Sequence, residues 1–246
     1  MMMRCRSPLI AFCLSSLKQQ SAPLLATPLS RLFSTTVHLP DDEIERVTRD
    51  WFDRIVVGWN LCPFADRPNK EGKLKIEVVR GTDEQDILAT VLGECIVRQE
   101  LPGTTLVVAP ECCPDSFEDY LSYCTTLEED ILPNHGLEQD LQIAPFHPLF
   151  EFADSTGVDV WTNRSPFPIF HILREEEVSA AVDKLDGDAS KVWKRNVSLL
   201  QDLEDALGSE AELEKVVRNA SHEHAETIRT SLQRHRFGVE STEKDS

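Results

Sequence analysis

Apolar residues recur at helical spacing along Ile44, Val47, Trp51, Ile55 and Trp59. This predicts a first helix beginning after Pro40, with Asp41 as N-cap and Asp42 and Glu43 complementing its dipole. The helix should stop near residues 60–62, because Pro63 disfavours helical geometry in the residue before it. Residues 66–73, with Pro, Asn and Gly, read as a loop, and Leu74–Val78 alternates apolar and charged positions as a half-exposed strand does. Thr82 with Gln85 forms a capping box for a second helix striped by Ile87, Leu88, Val91, Leu92, Cys95 and Ile96. Pro102-Gly103 turns the chain into Thr104–Ala109, a short apolar run of the kind found in central strands. Ser116 caps a third helix that presents Phe117, Tyr120, Leu121, Cys124, Leu127 and Ile131 on one face. Leu141–Phe146 is a third strand, residues 149–167 show no helical period, and Pro168–Leu173 is a fourth strand. Glu175, Glu176 and Glu177 suit the first turn of a helix through Val178, Ala181, Val182 and Leu185. Asp188 can cap another helix, with Val192, Val197, Leu200 and Leu203. Beyond Gly208 the pattern begins helical, with Leu213, Val216 and Val217, and then runs short of apolar residues.

Strands separated by helices of this length imply parallel pairing through right-handed crossovers. The expected class is α/β: a small mixed, mostly parallel sheet of about four strands, flanked by helices, with extra C-terminal helices. The fourth strand follows a long irregular connection, which leaves an antiparallel orientation open. Parallel strands set Arg80, Glu111, Cys112 and His147 just past their carboxyl ends, along one rim. An antiparallel fourth strand would bring Asn163, Arg164 and Ser165 to that rim and send Arg174 to the other end. Open α/β sheets bind ligands at the carboxyl rim.

Charge divides the chain. Residues 1–40 carry Arg4, Arg6, Lys18 and Arg31 and no acid, so all 43 acids lie in residues 41–246 against 21 Lys and Arg, a net −22. Such a field repels nucleic acid and anionic lipid, so neither is an expected partner, and no stretch has the apolar length of a membrane span. The acid-free, Arg- and Ser-bearing start reads as a mitochondrial presequence over residues 1–33. Arg31-Leu32-Phe33-Ser34 resembles a processing site, with cleavage after Phe33 and a matrix location. Plastid import and secretion are the alternatives. Five cysteines after Phe33 (Cys62, Cys95, Cys112, Cys113 and Cys124), an odd number without framework spacing, weigh against secretion. Residues 41–206 then form a single α/β domain, and 207–246 an acidic tail, partly helical or disordered.

Two segments pack polar side chains between prolines and aromatics: Pro145-Phe146-His147-Pro148 and Asn163-Arg164-Ser165-Pro166-Phe167-Pro168. Proline fixes φ and removes a donor, so each segment is stiff while it presents His, Asn and Arg. Together with Trp59-Asn60-Leu61-Cys62-Pro63-Phe64-Ala65 and His171-Ile172-Leu173-Arg174-Glu175, these blocks resemble, in order and spacing, the family known as domain of unknown function 1415. The resemblance covers roughly residues 44–204 and implies which positions to watch; it carries no reaction and no catalytic residues.

Read from the residues, Arg164 suits an anion, with Asn163 and Ser165 orienting it. His147 is a candidate acid/base, or else a histidine that fastens a strand end through its two nitrogens. Cys62 is a candidate nucleophile, or a small hydrophobe closing the first helix, where the negative end of the dipole would raise a thiol pKa. His171 and Arg174 are further ligand candidates, although strand alternation turns them to opposite faces. No metal ligand set is predicted: Cys112-Cys113 lacks a spacer, and His222 and His224 point to different helix faces. No phosphate loop, dinucleotide fingerprint or nucleophile elbow is present, so no cofactor is assigned. The expected function is an enzyme of, or a binding protein for, a small anionic metabolite at the carboxyl rim. The alternative is a non-catalytic interaction or assembly module, which exposed Trp161, Phe167 and Phe170 would favour.

Overall fold

A computed structural model describes residues 39–62, 65–152, 157–183, 188, 190–219 and 224–235. The expected presequence, its Phe33 site and the last part of the tail lie outside these residues. The first helix, α1 (Asp41–Trp51), runs on into a π-helical stretch, Phe52–Val57. Its N-cap position is Pro40 rather than the expected Asp41, and the acids Asp41, Asp42 and Glu43 fill the first turn. A short α2 (Asp66–Lys70) occupies part of the expected loop and leads to β1 (Leu74–Val78). The second long helix, α3 (Glu84–Glu100), is capped by Asp83, whose side chain accepts from the Asp86 amide; the expected Thr82 box does not form. There follow β2 (Thr104–Val108), α4 (Phe117–Thr126) capped by Ser116, a π-helical stretch (Leu127–Ile131) and the single turn α5 (Leu132–Asn134). Strand β3 (Leu141–Phe146), a 3₁₀ segment (Val158–Thr162) and β4 (Ile169–Arg174) complete the sheet. Helices α6 (Glu175–Asp183), α7 (Ser190–Leu207), α8 (Glu210–Asn219) and α9 (Ala225–Arg234) close the chain.

The strand order is β1-β2-β4-β3. Only β1 and β2 pair in parallel; β4 runs antiparallel to both β2 and β3. The expectation of a mostly parallel sheet is therefore corrected. Between β3 and β4 the connection holds a 3₁₀ turn instead of a full crossover helix, so β4 returns as the reversed neighbour of both strands.

Alternation splits the sheet's side chains between two core layers. Leu106, Val108 and Ile169 face one layer with Trp51, Phe52, Trp161, Leu199 and Leu203. Val107, Phe170, Ile172 and Ile143 face the other, with Ile87, Val91, Tyr120 and Leu127. Helix α8 adds Leu213, Val216 and Val217 to the first layer, so the packed fold continues past residue 207.

Strand β3 forms an edge, and two features close it. Pro145 brings no N–H to the open side, the usual place for proline in a sheet. Ile143 N–H donates to Glu128 Oε1 at 2.5 Å, so the π-helical stretch covers that edge with a carboxyl. Burial drives the Glu128 pKa up to about 7, against the lowering effect of that bond. On the inner side, the buried Tyr120 hydroxyl donates to Ile169 O at 2.7 Å and joins α4 to β4. Tyr120→Phe should cost about 1–1.5 kcal/mol in urea unfolding with an unchanged m-value, because one buried bond is lost without a void.

Candidate functional site

The reversal of β4 builds the rim. Val108 of β2 and Phe146 of β3 both lie opposite Ile169, the first residue of β4. The carboxyl ends of two strands therefore meet the entry to a third. Ala109 N–H donates to Pro168 O (3.0 Å) and His147 N–H to Asn163 O (3.2 Å). Asn163, Arg164 and Ser165 thus arrive beside His147, and Arg174 is carried to the other end, opposite Leu141. There Arg174 pairs with Glu176 (3.5 Å) and Glu177 (3.6 Å), so it shares no site with the rim. Arg80 and Glu111 occupy the other part of the rim. Arg80 Nη1 donates to Glu111 Oε1 (2.7 Å), Nε to Asp41 Oδ1 (2.6 Å), and Nη2 to Leu39 O. Gly81 N–H meets the second Glu111 oxygen at 3.1 Å.

His147 is fully buried and lies 5.0 Å from the Tyr120 ring and 5.5 Å from Phe117, centroid to centroid. Leu149 N–H donates to its Nδ1 (3.0 Å), which assigns the proton to Nε2; that N–H donates to Cys113 O (3.1 Å). Burial pushes its pKa down to about 4, so the ring is neutral at pH 7. Both nitrogens are committed to backbone. In this conformation the ring fastens the β3 exit to the Cys113 loop and has neither a lone pair nor a proton to offer a ligand. Cys113 itself has φ 50°, a left-handed residue whose carbonyl is turned toward the imidazole.

Asn163 also braces the rim: its Nδ2 donates to Pro145 O (3.2 Å), and Thr162 Oγ1 donates to its Oδ1 (2.8 Å). Ser165 is buried and donates to Phe167 O at 2.6 Å. Arg164 is half-buried, with its guanidinium carbon 4.5 Å from the Trp161 ring centroid and Nε 3.4 Å from Phe150 O. A planar cation laid on an indole face is oriented at little entropic cost.

Cys62 packs half-buried against the core layer that contains Trp59 and Leu61, on the face opposite the Tyr120 layer in which His147 stacks. The two are not paired. Of the five described cysteines, Cys95, Cys112 and Cys124 are buried. Desolvation raises Cys95 and Cys124 to about 12 and moves Cys112 further in the same direction. Of these five, a native thiol titration with an aromatic disulfide reagent should therefore count Cys62 and Cys113, the half-buried pair, with the other three appearing in denaturant.

His171 lies in mid-sheet, across from Leu106 and Ala144. Thr104 Oγ1 donates to Ile172 O (2.6 Å), so it must accept from His171 Nε2–H (2.7 Å). That leaves Nδ1 as a bare lone pair. Burial lowers this pKa too, to about 4.

Sequence reasoning passed over Arg195 and Asn196 on α7. Arg195 Nη1 lies 3.0 Å from both Trp59 O and Asn60 O, its Nε donates to His235 O (2.7 Å), and Asn196 Nδ2 donates to Leu61 O (2.7 Å). These carbonyls end the first helix, where Asn60 is left-handed (φ 54°) and Leu61 N–H reaches back to Val56 O. A signal existed: Asn196 falls on the apolar stripe of α7, one turn from Val192 and Leu200. Among the described residues no three His, Cys, Asp or Glu side chains converge as a metal site requires. No helix among them is long and apolar enough to cross a membrane.

A family model described as "Protein of unknown function (DUF1415)" matches residues 43–209. No curated protein and no solved structure matches this chain.

Proposed function

We propose, from the premise that this chain belongs to the DUF1415 family of proteins of unknown function, that it binds a small anionic metabolite at the carboxyl rim. Arg164 is the anion-recognising group. The observation that carries this reading is its guanidinium, half-buried and laid on Trp161 between two stiff Pro-bearing segments. A cation so oriented presents a fork that matches a carboxylate or phosphate, on a chain whose overall charge would otherwise repel one. Asn163 and His147 serve this site indirectly, by holding its backbone. The same reading keeps an organellar, matrix location, which rests on the acid-free start of the sequence.

The test is a thermal-shift panel of small carboxylates and phosphate esters. The expected result is a shift with at least one anion that falls at least tenfold in apparent affinity in Arg164→Ala and is only partly restored in Arg164→Lys. An unchanged shift in Arg164→Ala sinks the assignment. The rival reading, a protein-interaction module, called for exposed Trp161, Phe167 and Phe170. All three are buried, so the observation chosen to favour it does not.

A further inference from the structure

We propose that Ala144 is the floor of a second, uncharged binding site on the sheet face that also carries Phe146 and His171, and that it takes a small neutral molecule with both a hydrogen-bond donor and an acceptor. This site is separate from Arg164. On β3, Gln142, Ala144 and Phe146 point to one face, and β4 sets Leu173, His171 and Ile169 opposite them on the same face. Ala144 is thus a methyl group ringed by Gln142, Phe146 and His171. Among the described residues, neither core layer includes Ala144 or Leu173.

The polar groups around this floor are those a ligand would use. Gln142 is 4% exposed, and among the described residues neither its Oε1 nor its Nε2 has a hydrogen-bond partner. A buried amide with both ends unmet costs a few kcal/mol, and such a group calls for an explanation, an ordered water or a bound molecule among them. His171 Nδ1 is an acceptor by the tautomer that Thr104 enforces, and no bond to it is found among the described residues. Phe146, with its ring 5.8 Å from the His171 ring, walls one side. Among the described residues this floor therefore offers an amide and an imidazole lone pair. Ala144 and His171 are each 8% exposed, so the floor is not sealed from solvent. An amide or an aminated nitrogen heterocycle matches this set; an anion does not.

The full chain, labelled with ¹⁵N, tests this with benzamide and 2-aminopyridine as neutral probes and benzoate as the anionic isostere of the first. Binding of a neutral probe should move the Gln142 side-chain amide resonances and raise Tm, while benzoate does neither. Gln142→Leu should weaken the neutral probe at least tenfold and leave the free protein as stable or more so, since it removes an unmet buried amide. Ala144→Leu should fill the space, abolish binding and leave the free Tm unchanged or higher. Arg164→Ala should leave neutral-probe binding intact, so this proposal and the anion site can fail separately. It is overturned by no resonance shift with either neutral probe, by an equal response in Gln142→Leu, or by a marked loss of free-state stability in Ala144→Leu. The last would show the space already filled by protein atoms. Ordered water bridging Gln142 and His171, undisplaced by either probe, overturns it as well.

Discussion

Replacing Arg195 by alanine is expected to destabilise the protein by about 2–4 kcal/mol, the range for removing a charged donor that serves several carbonyls at once. One guanidinium holds three segments that are distant in sequence: the end of the first helix through Trp59 O and Asn60 O, its own helix α7, and the end of α9 through His235 O. Burial lowers the Arg195 pKa to about 10, still charged at pH 7, so every bond it donates is charge-assisted. Arg195→Lys should recover little of the loss, because one ammonium cannot reach both His235 O and the Trp59–Asn60 pair. Asn196→Ala should cost about 1–3 kcal/mol, by leaving Leu61 O buried without its donor. The double variant should fall short of the sum, since both side chains cap the same helix end. Urea unfolding measures all four variants. Losses below about 0.5 kcal/mol would mean that water replaces the clamp and that the helix end needs no protein partner.

Stability should rise by about 2 kcal/mol between pH 4.5 and 6.5 and level off near pH 7. Three buried groups set this shape. His147 and His171 have folded pKa values near 4 against an ordinary 6.5, both lowered by burial. The unfolded chain therefore binds their protons first. Their contribution is complete above pH 6.5 and is lost as pH falls toward 4. Glu128 acts with opposite sign. Its folded pKa, about 7, lies above the ordinary 4.5, so its contribution is complete below pH 4.5 and is lost as pH rises through 7. Two protons in one direction against one in the other leave a net slope that averages about 1 kcal/mol per pH unit across the window. The lowered carboxylates Glu43, Glu212 and Glu226 are paired at the surface and add little, as exposed pairs do. Glu128→Gln keeps an acceptor for the Ile143 amide and removes the opposing titration. It should roughly double the slope. Denaturant titrations at half-unit pH intervals read both profiles, and a flat wild-type curve would show that the histidines protonate in place.

The sequence by itself determined the four strands, the long helices between them and most of their buried stripes. These depend on local periodicity and turn chemistry, which each segment carries within itself. Leu74–Val78 and Leu141–Phe146 are strands because their own side chains alternate or run apolar. The sequence also singled out His147, Asn163 and Arg164 as members of stiff segments, and it offered strand fastening as one of two roles for His147. Only the tertiary structure decided the direction of β4. That direction depends on which edge the chain meets after residues 147–168, and no local pattern encodes it. It is this reversal that brings Asn163 to His147 and carries Arg174 away.

The charge states of His147, His171 and Glu128 were likewise beyond the sequence, because desolvation is set by what covers a group rather than by its neighbours in the chain. The same holds for Arg195 and Asn196, whose partners at the end of the first helix lie more than a hundred residues upstream, and for the unmet amide of Gln142. A chain writes its elements in nearest-neighbour terms, whereas a site is written in contacts that exist only after those elements have packed.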